Sequence, residues 1–123
     1  MPTLLVADDS EVIRKAVKRL LEAEPAIEVL GEATSFAETI EKASELKPDV
    51  VLLDLHMPDE RTLDAEYIKM HLRPQGSEIK IIGISLSGND DHEARDRAAS
   101  LGACTVLEKS RFYDELIPAI LSR

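Results

Sequence analysis

The sequence predicts an alternating α/β fold, a five-stranded parallel sheet with helices on both faces. Two observations carry this. Short apolar runs alternate with segments of helical periodicity five times along the 123 residues. The runs are also nearly unbroken, which is the pattern of strands covered on both sides rather than half-exposed.

Each element follows from local pattern. Thr3 to Ala7 is an apolar run that stops abruptly at Asp8 and Asp9. Val12, Ile13, Ala16, Val17, Leu20 and Leu21 then recur at helical spacing, and Pro25 closes the segment. Ile27 to Ala33 is the second strand. Ser35 with Glu38 three residues later is a capping-box signal, with Phe36, Ile40, Ala43 and Leu46 as the helix stripe behind it. Val50 to Leu53 is apolar throughout and ends at Asp54. A third helix carries Leu63, Tyr67, Ile68 and Leu72, and an Arg73-Pro74-Gln75-Gly76 turn leads to the strand Ile79 to Ser85. Asp90 to Leu101 is a highly charged helix with Gly102 as its C-cap. Cys104 to Leu107 is the fifth strand and Phe112 to Leu121 the last helix, in which Pro118 predicts a kink or a late start. Five βα units of this size fit the flavodoxin-like (βα)5 arrangement, strand order 2-1-3-4-5. In that arrangement ligands bind outside the carboxyl ends of the strands.

Composition narrows the function. Fifteen basic against 24 acidic residues give a net charge of −9, which argues against direct nucleic-acid binding through a basic face. No apolar run approaches the roughly 20 residues of a membrane span, and the N-terminus enters a strand with no signal-peptide pattern. The single cysteine, Cys104, is read as a small buried strand residue in a reducing, cytoplasmic compartment. The chain is read as one domain, residues 1–123, with no room for an output domain after its last helix.

The polar residues are informative because of where they fall. Four strands end in groups suited to phosphoryl chemistry: Asp8 and Asp9, Asp54, Ser85, and Lys109. Strand order 2-1-3-4-5 sets these ends side by side on the edge where ligands bind. Crowded carboxylates repel, by about 4 kcal/mol for a pair at 4 Å and an effective dielectric of 20. A divalent cation together with Lys109 meets three negative charges, and Mg2+ suits oxygen ligands and phosphate. Asp54 is then the nucleophile, with Lys109 neutralising the transferred group and Ser85 donating to it. The bland alternatives are helix capping for Asp8 and Asp9 and a surface position for Lys109. An acid directly after four buried apolar residues needs a partner, which favours function for Asp54. His71 and His92 are read as solvated helix residues. Ser87 shares strand parity with Ser85 and fits the spacing back from Lys109; Ser85 directly ends the apolar run Ile81-Ile82-Gly83-Ile84. Taking Ser85 implies two extra residues in the loop that contains Gly88 and Asn89.

Asp8-Asp9, the run Val51-Leu52-Leu53-Asp54-Leu55-His56-Met57-Pro58, Ile84-Ser85, Gly102-Ala103 and Lys109 resemble the receiver domains of two-component response regulators, over essentially the whole chain. The resemblance implies that Asp54 accepts a phosphoryl group from a sensor histidine kinase or phosphotransfer protein. It further implies that Asp9 binds the metal directly, Asp8 mostly through water, and His56 through its backbone carbonyl. A receiver is a signalling domain rather than an enzyme, taking part only in its own phosphorylation and dephosphorylation. Lys109-Ser110 and the ending Asp114-Glu115-Leu116-Ile117-Pro118-Ala119-Ile120 resemble receivers of helix-turn-helix transcriptional regulators. That implies a DNA-binding output domain outside this chain, and a dimer through the face of strands and helices 4 and 5.

Four positions depart from the family pattern. Leu86 replaces a small residue and narrows access to Asp54. Val106 replaces an aromatic side chain that turns inward on activation. Ser110 replaces proline, so a trans Lys109-Ser110 bond is expected. Thr62 replaces a glycine, so the loop before helix 3 should avoid positive φ. Leu86 and Val106 motivate an alternative, a pseudo-receiver that binds partners irrespective of phosphorylation. A phosphohydrolase of the haloacid dehalogenase type would need a second Asp two residues after Asp54, where this chain has His56.

Overall fold

The computed structural model describes residues 2–86 and 92–122. Among them the strands are β1 (Thr3–Ala7), β2 (Glu28–Ala33), β3 (Val50–Asp54), β4 (Lys80–Ser85) and β5 (Thr105–Glu108). They alternate with α1 (Glu11–Glu22), α2 (Phe36–Leu46), α3 (Ala65–Leu72), α4 (His92–Ser100) and α5 (Phe112–Leu121). All strand pairs are parallel and the order is β2-β1-β3-β4-β5, the flavodoxin-like arrangement expected.

Strand alternation divides the core into two layers. Leu4, Val6, Leu52, Ile82, Ile84 and Leu107 pack with Val17 and Leu21 of α1 and with Phe112, Leu116 and Ile120 of α5. Leu5, Ala7, Val51, Leu53, Ile81 and Val106 pack on the other side with Phe36 and Ala43 of α2, Ile68 and Leu72 of α3, and Ala94 and Ala98 of α4. Every residue of β3 is buried, as an unbroken apolar run demands.

The helix ends show which local signals acted. Ser35 Oγ accepts from the Glu38 backbone N–H at 3.1 Å, and Glu38 Oε1 reaches back to the Thr34 backbone N–H at 2.6 Å, one residue beyond the expected partner. Asp59, 23 residues away, takes the next donors: its carboxylate accepts from Phe36 N at 2.9 Å and Ala37 N at 3.0 Å. The loop after β3 is thereby fastened to the N-terminus of α2. Gly102 adopts φ 84 and stops α4, the left-handed geometry that glycine adopts at least cost.

Several expectations are corrected. Cys104 is exposed and precedes β5 rather than lying inside it, because pairing begins only where Thr105 meets Ile82. Val12 belongs to the apolar stripe of α1 by spacing but is 76% exposed, in the first turn of the helix and outside the buried pair Val17 and Leu21. Leu63 precedes α3, and Tyr67 points outward to stack on His71 at 3.9 Å. Helix α5 runs through Pro118 without a late start; Pro118 and Asp114, whose carbonyl proline cannot serve, are both exposed to water. Two further expectations hold: Thr62 avoids positive φ, its backbone N–H and Oγ1 both donating to the Asp59 carbonyl, and the bond after Lys109 is not cis. No cis peptide occurs among the described residues. Ser87, Gly88, Asn89 and the predicted helix start at Asp90 lie outside the described residues.

Candidate functional site

The register delivers the site. Ala7 pairs with Leu53, so the next residues, Asp8 and Asp54, face each other across the β1–β3 ladder. Asp54 pairs with Ile84, one step before Ser85, and Ser85 pairs with Glu108, one step before Lys109. The Lys109 backbone N–H donates to the Ser85 carbonyl at 2.8 Å. All four predicted strand ends therefore meet on one rim.

Carboxylate oxygens of Asp8, Asp9 and Asp54 lie within 4.8 Å of one another. Asp8 and Asp54 are buried at 1% and 3% exposure, while Asp9 is open to solvent. Lys109 sends its ammonium between the two buried acids, 3.1 Å from Asp8 Oδ2 and 3.4 Å from Asp54 Oδ2. Asp8 Oδ1 accepts from the Ser10 backbone N–H at 2.8 Å, and Asp54 Oδ1 accepts from the His56 backbone N–H at 3.2 Å. Burial and then the charge of Asp8 push the Asp54 carboxyl up to about 7, against the pull of Lys109 and the His56 N–H. Burial works against the charge of Lys109, but Asp54 and Asp8 outweigh it and hold its ammonium above the ordinary lysine value.

Above these groups is a cleft of about 320 Å³, lined by Asp9, Asp54, His56, Ser85, Lys109, and by Glu93 and Ala94 of α4. Ser85 is buried. Leu86 lines the rim but is 80% exposed, so its bulk stands largely outside the cleft. The His56 side chain is 59% exposed, and its Nδ1 meets Glu60 Oε2 at 2.8 Å. Larger surface grooves lie beside Val12 and Tyr113 (about 500 Å³) and beside Cys104 (about 650 Å³), but neither contains any of the three aspartates.

The family model for the response regulator receiver domain matches residues 4–121. The chain belongs to that family. It is 33% identical over 120 residues to the response regulator GacA of Pseudomonas syringae pv. syringae, covering 98% of this chain and 54% of GacA. It is 37% identical over 106 residues to a protein-glutamate methylesterase/protein-glutamine glutaminase of Pyrococcus abyssi, covering 86% of this chain but 28% of that enzyme. The receiver thus spans about half the length of the first relative and under a third of the second. Among solved structures, the signal receiver domain of the response regulator NarL from Mycobacterium tuberculosis superposes with TM-score 0.81 at 28% identity, over 98% of this chain and 93% of that one.

Sequence reasoning missed three residues that hold the receiver's acidic loops. Arg14 donates to the Asp8 carbonyl at 2.8 Å and pairs with Glu32 at 3.0 Å. Asp59 anchors the loop after β3 to α2. Arg97 of α4 donates to the Leu55 carbonyl at 3.0 Å. Arg14 sits one helical turn beyond the acid pair and could have been suspected; the partners of Asp59 and Arg97 are 22 or more residues away and left no local signal.

Proposed function

We propose that this receiver is a phosphoacceptor switch in which Asp54 takes a phosphoryl group from a sensor histidine kinase or phosphotransfer protein, and in which the phosphoryl state alters partner binding. The convergence of three carboxylates, Lys109 and Ser85 at one cleft carries the reading. An Asp54 oxygen forms a bond to phosphorus as the bond from phosphorus to the donor's imidazole nitrogen breaks. The electron pair leaves on that nitrogen. Lys109 attracts the equatorial phosphoryl oxygens, and Ser85 donates a hydrogen bond to the transferred group.

The donor set fits Mg2+. All three side chains offer hard oxygen ligands, and Asp8 Oδ2, though ion-paired to Lys109, is buried without a hydrogen bond of good geometry. Asp8, Asp9, Asp54 and the His56 carbonyl would hold the ion. When bound, it supplies positive charge against the phosphoryl oxygens and relieves repulsion among the acids. Burial of two aspartates against one lysine is otherwise unfavourable, and the raised Asp54 carboxyl reflects that.

The resemblance of Lys109-Ser110 and of Asp114 to Ile120 to receivers of helix-turn-helix regulators supports a receiver, residues 1–123, that works with a DNA-binding output domain outside this chain, dimerises through the β4–β5/α4–α5 face, and acts in the cytoplasm. No helix among the described residues is long and apolar enough to cross a membrane. The test is incubation with acetyl phosphate and Mg2+ followed by intact-mass measurement. The expected result is a gain of one phosphoryl group that Asp54→Asn abolishes. No gain on the unaltered protein, or partner affinity indifferent to the phosphodonor, would favour a phosphorylation-independent interaction module. Val106, buried in the core at 4% exposure where the family pattern has an aromatic switch residue, is the observation on that side.

A further inference from the structure

The peptide unit joining Leu55 to His56 is held at both ends. Its carbonyl accepts from Arg97 Nε at 3.0 Å, and its N–H donates to Asp54 Oδ1 at 3.2 Å. A peptide unit is planar, so tilting one end tilts the other. A guanidinium on the oxygen also polarises the N–H, strengthening the bond it gives by something like 10–30%.

The plane has few other freedoms. Leu55 is fully buried, and its own N–H donates to the Ile84 carbonyl at 3.1 Å. The Leu55 side chain lies where a Cβ on Gly83 would stand 2.9 Å from its Cδ2, so β4 is shaped to receive it. Arg97 is largely enclosed, its side chain 19% exposed: its guanidinium carbon lies 5.4 Å from the centroid of the Phe36 ring, and Nη2 is buried without a hydrogen bond, 3.9 Å from Glu60 Oε2. An arginine satisfying a carbonyl is ordinarily structural. Here the same plane reaches the buried carboxylate of the site.

We infer that Arg97 is a positioning residue for Asp54, and that the Leu55–His56 peptide plane links α4 to the proposed phosphoacceptor. The consequence for phosphorylation rests on the reading given under Proposed function; the positioning itself does not. Phosphorylation of Asp54 converts its carboxylate into an acyl phosphate, changes the acceptor that the His56 N–H meets, and is felt by Arg97 through the plane. Helix α4, whose first turn lines the cleft with Glu93 and Ala94, is then displaced relative to the loop.

The test uses NMR on the full chain with Arg97→Met, which keeps the stem over Phe36, and Arg97→Lys, which keeps a cationic donor. Before any ligand is added, the His56 backbone N–H resonance is expected to move upfield in Arg97→Met and to return part of the way in Arg97→Lys. Mg2+ with beryllofluoride, a phosphoryl mimic, is then titrated. Arg97→Met is expected to bind it about tenfold more weakly, the weight of one hydrogen bond to a charged group. In the unaltered protein the Arg97 Nε–H resonance is expected to shift on the same addition, a measurement that needs no variant to fold. An unmoved His56 resonance in Arg97→Met, or an Arg97 Nε–H resonance indifferent to bound beryllofluoride, overturns the inference. If beryllofluoride fails to bind the unaltered protein, the phosphoswitch reading falls instead, and the His56 resonance still decides the positioning role.

Discussion

The ammonium of Lys109 stands 3.4 Å from the carboxylate of Asp54 and 3.1 Å from that of Asp8. One positive charge thus serves two buried acids. Replacing it with methionine leaves both uncompensated. Because Lys109 is 15% exposed, the cost falls below that of a fully buried pair, at roughly 2–4 kcal/mol. Urea unfolding of Lys109→Met in metal-free buffer at pH 8 measures it. A loss much smaller at pH 6 is expected, because Asp54 then carries a proton.

Asp54 itself gives the folded chain a pH signature. Its carboxyl lies at about 7 when folded, above the unfolded value near 3.9. Between those values the folded chain keeps a proton that the unfolded chain has lost. This group's contribution therefore favours folding most below about pH 4, declines as pH rises toward 7, and is constant above. Asp54→Asn should remove that slope and stabilise the metal-free protein at pH 8 by roughly 1–4 kcal/mol. Urea midpoints at pH 5 and pH 8 check both statements; an unchanged slope in the variant would refute them.

Magnesium should stabilise the chain through the same acids. At ten times its dissociation constant, a ligand that binds only the folded form adds about 1.4 kcal/mol. Asp9→Ala is expected to lose most of this increment with little change in metal-free stability, since Asp9 is exposed and Asp8 and Asp54 are not. Unfolding with and without Mg2+ distinguishes the two effects.

Gly83→Ala tests the seat of Leu55. The new Cβ would meet Leu55 Cδ2 at 2.9 Å, and Leu55, fully buried, has no room to withdraw. Overpacking of about 1–3 kcal/mol is expected. Because Leu55 follows Asp54 directly, phosphoryl uptake from acetyl phosphate should slow as well.

Asp59→Ala removes the carboxylate that serves two backbone donors of α2. A loss of about 1–2 kcal/mol is expected, as for other N-terminal caps. Asp59→Asn, which keeps one acceptor oxygen, should lose less. The ordering of the two variants in urea is the decisive comparison.

What was legible in the sequence was whatever repeats locally. The run Val50-Val51-Leu52-Leu53 could only be a buried strand, and strand order then brought Asp8, Asp54, Ser85 and Lys109 together without knowledge of any side-chain position. What was not legible depends on where pairing starts or on distant partners. Cys104 looks like strand, yet the ladder begins one residue later. Val12 fits the stripe of α1, yet it borders an open surface groove and is left 76% exposed. Arg97 reads as one more charge on a charged helix, and only the fold sets it against a carbonyl 42 residues away.

The order β3-β4-β5 also decides why a lysine stands after β5. Asp54, the nearer of its two acids in the sheet, is two strands off, a span of roughly 10 Å. The final contact covers 3.4 Å of that, and the remainder is bridged by an unbranched four-carbon stem. A shorter base at this corner would strand its charge above β4. The width of a single intervening strand selects the amino acid.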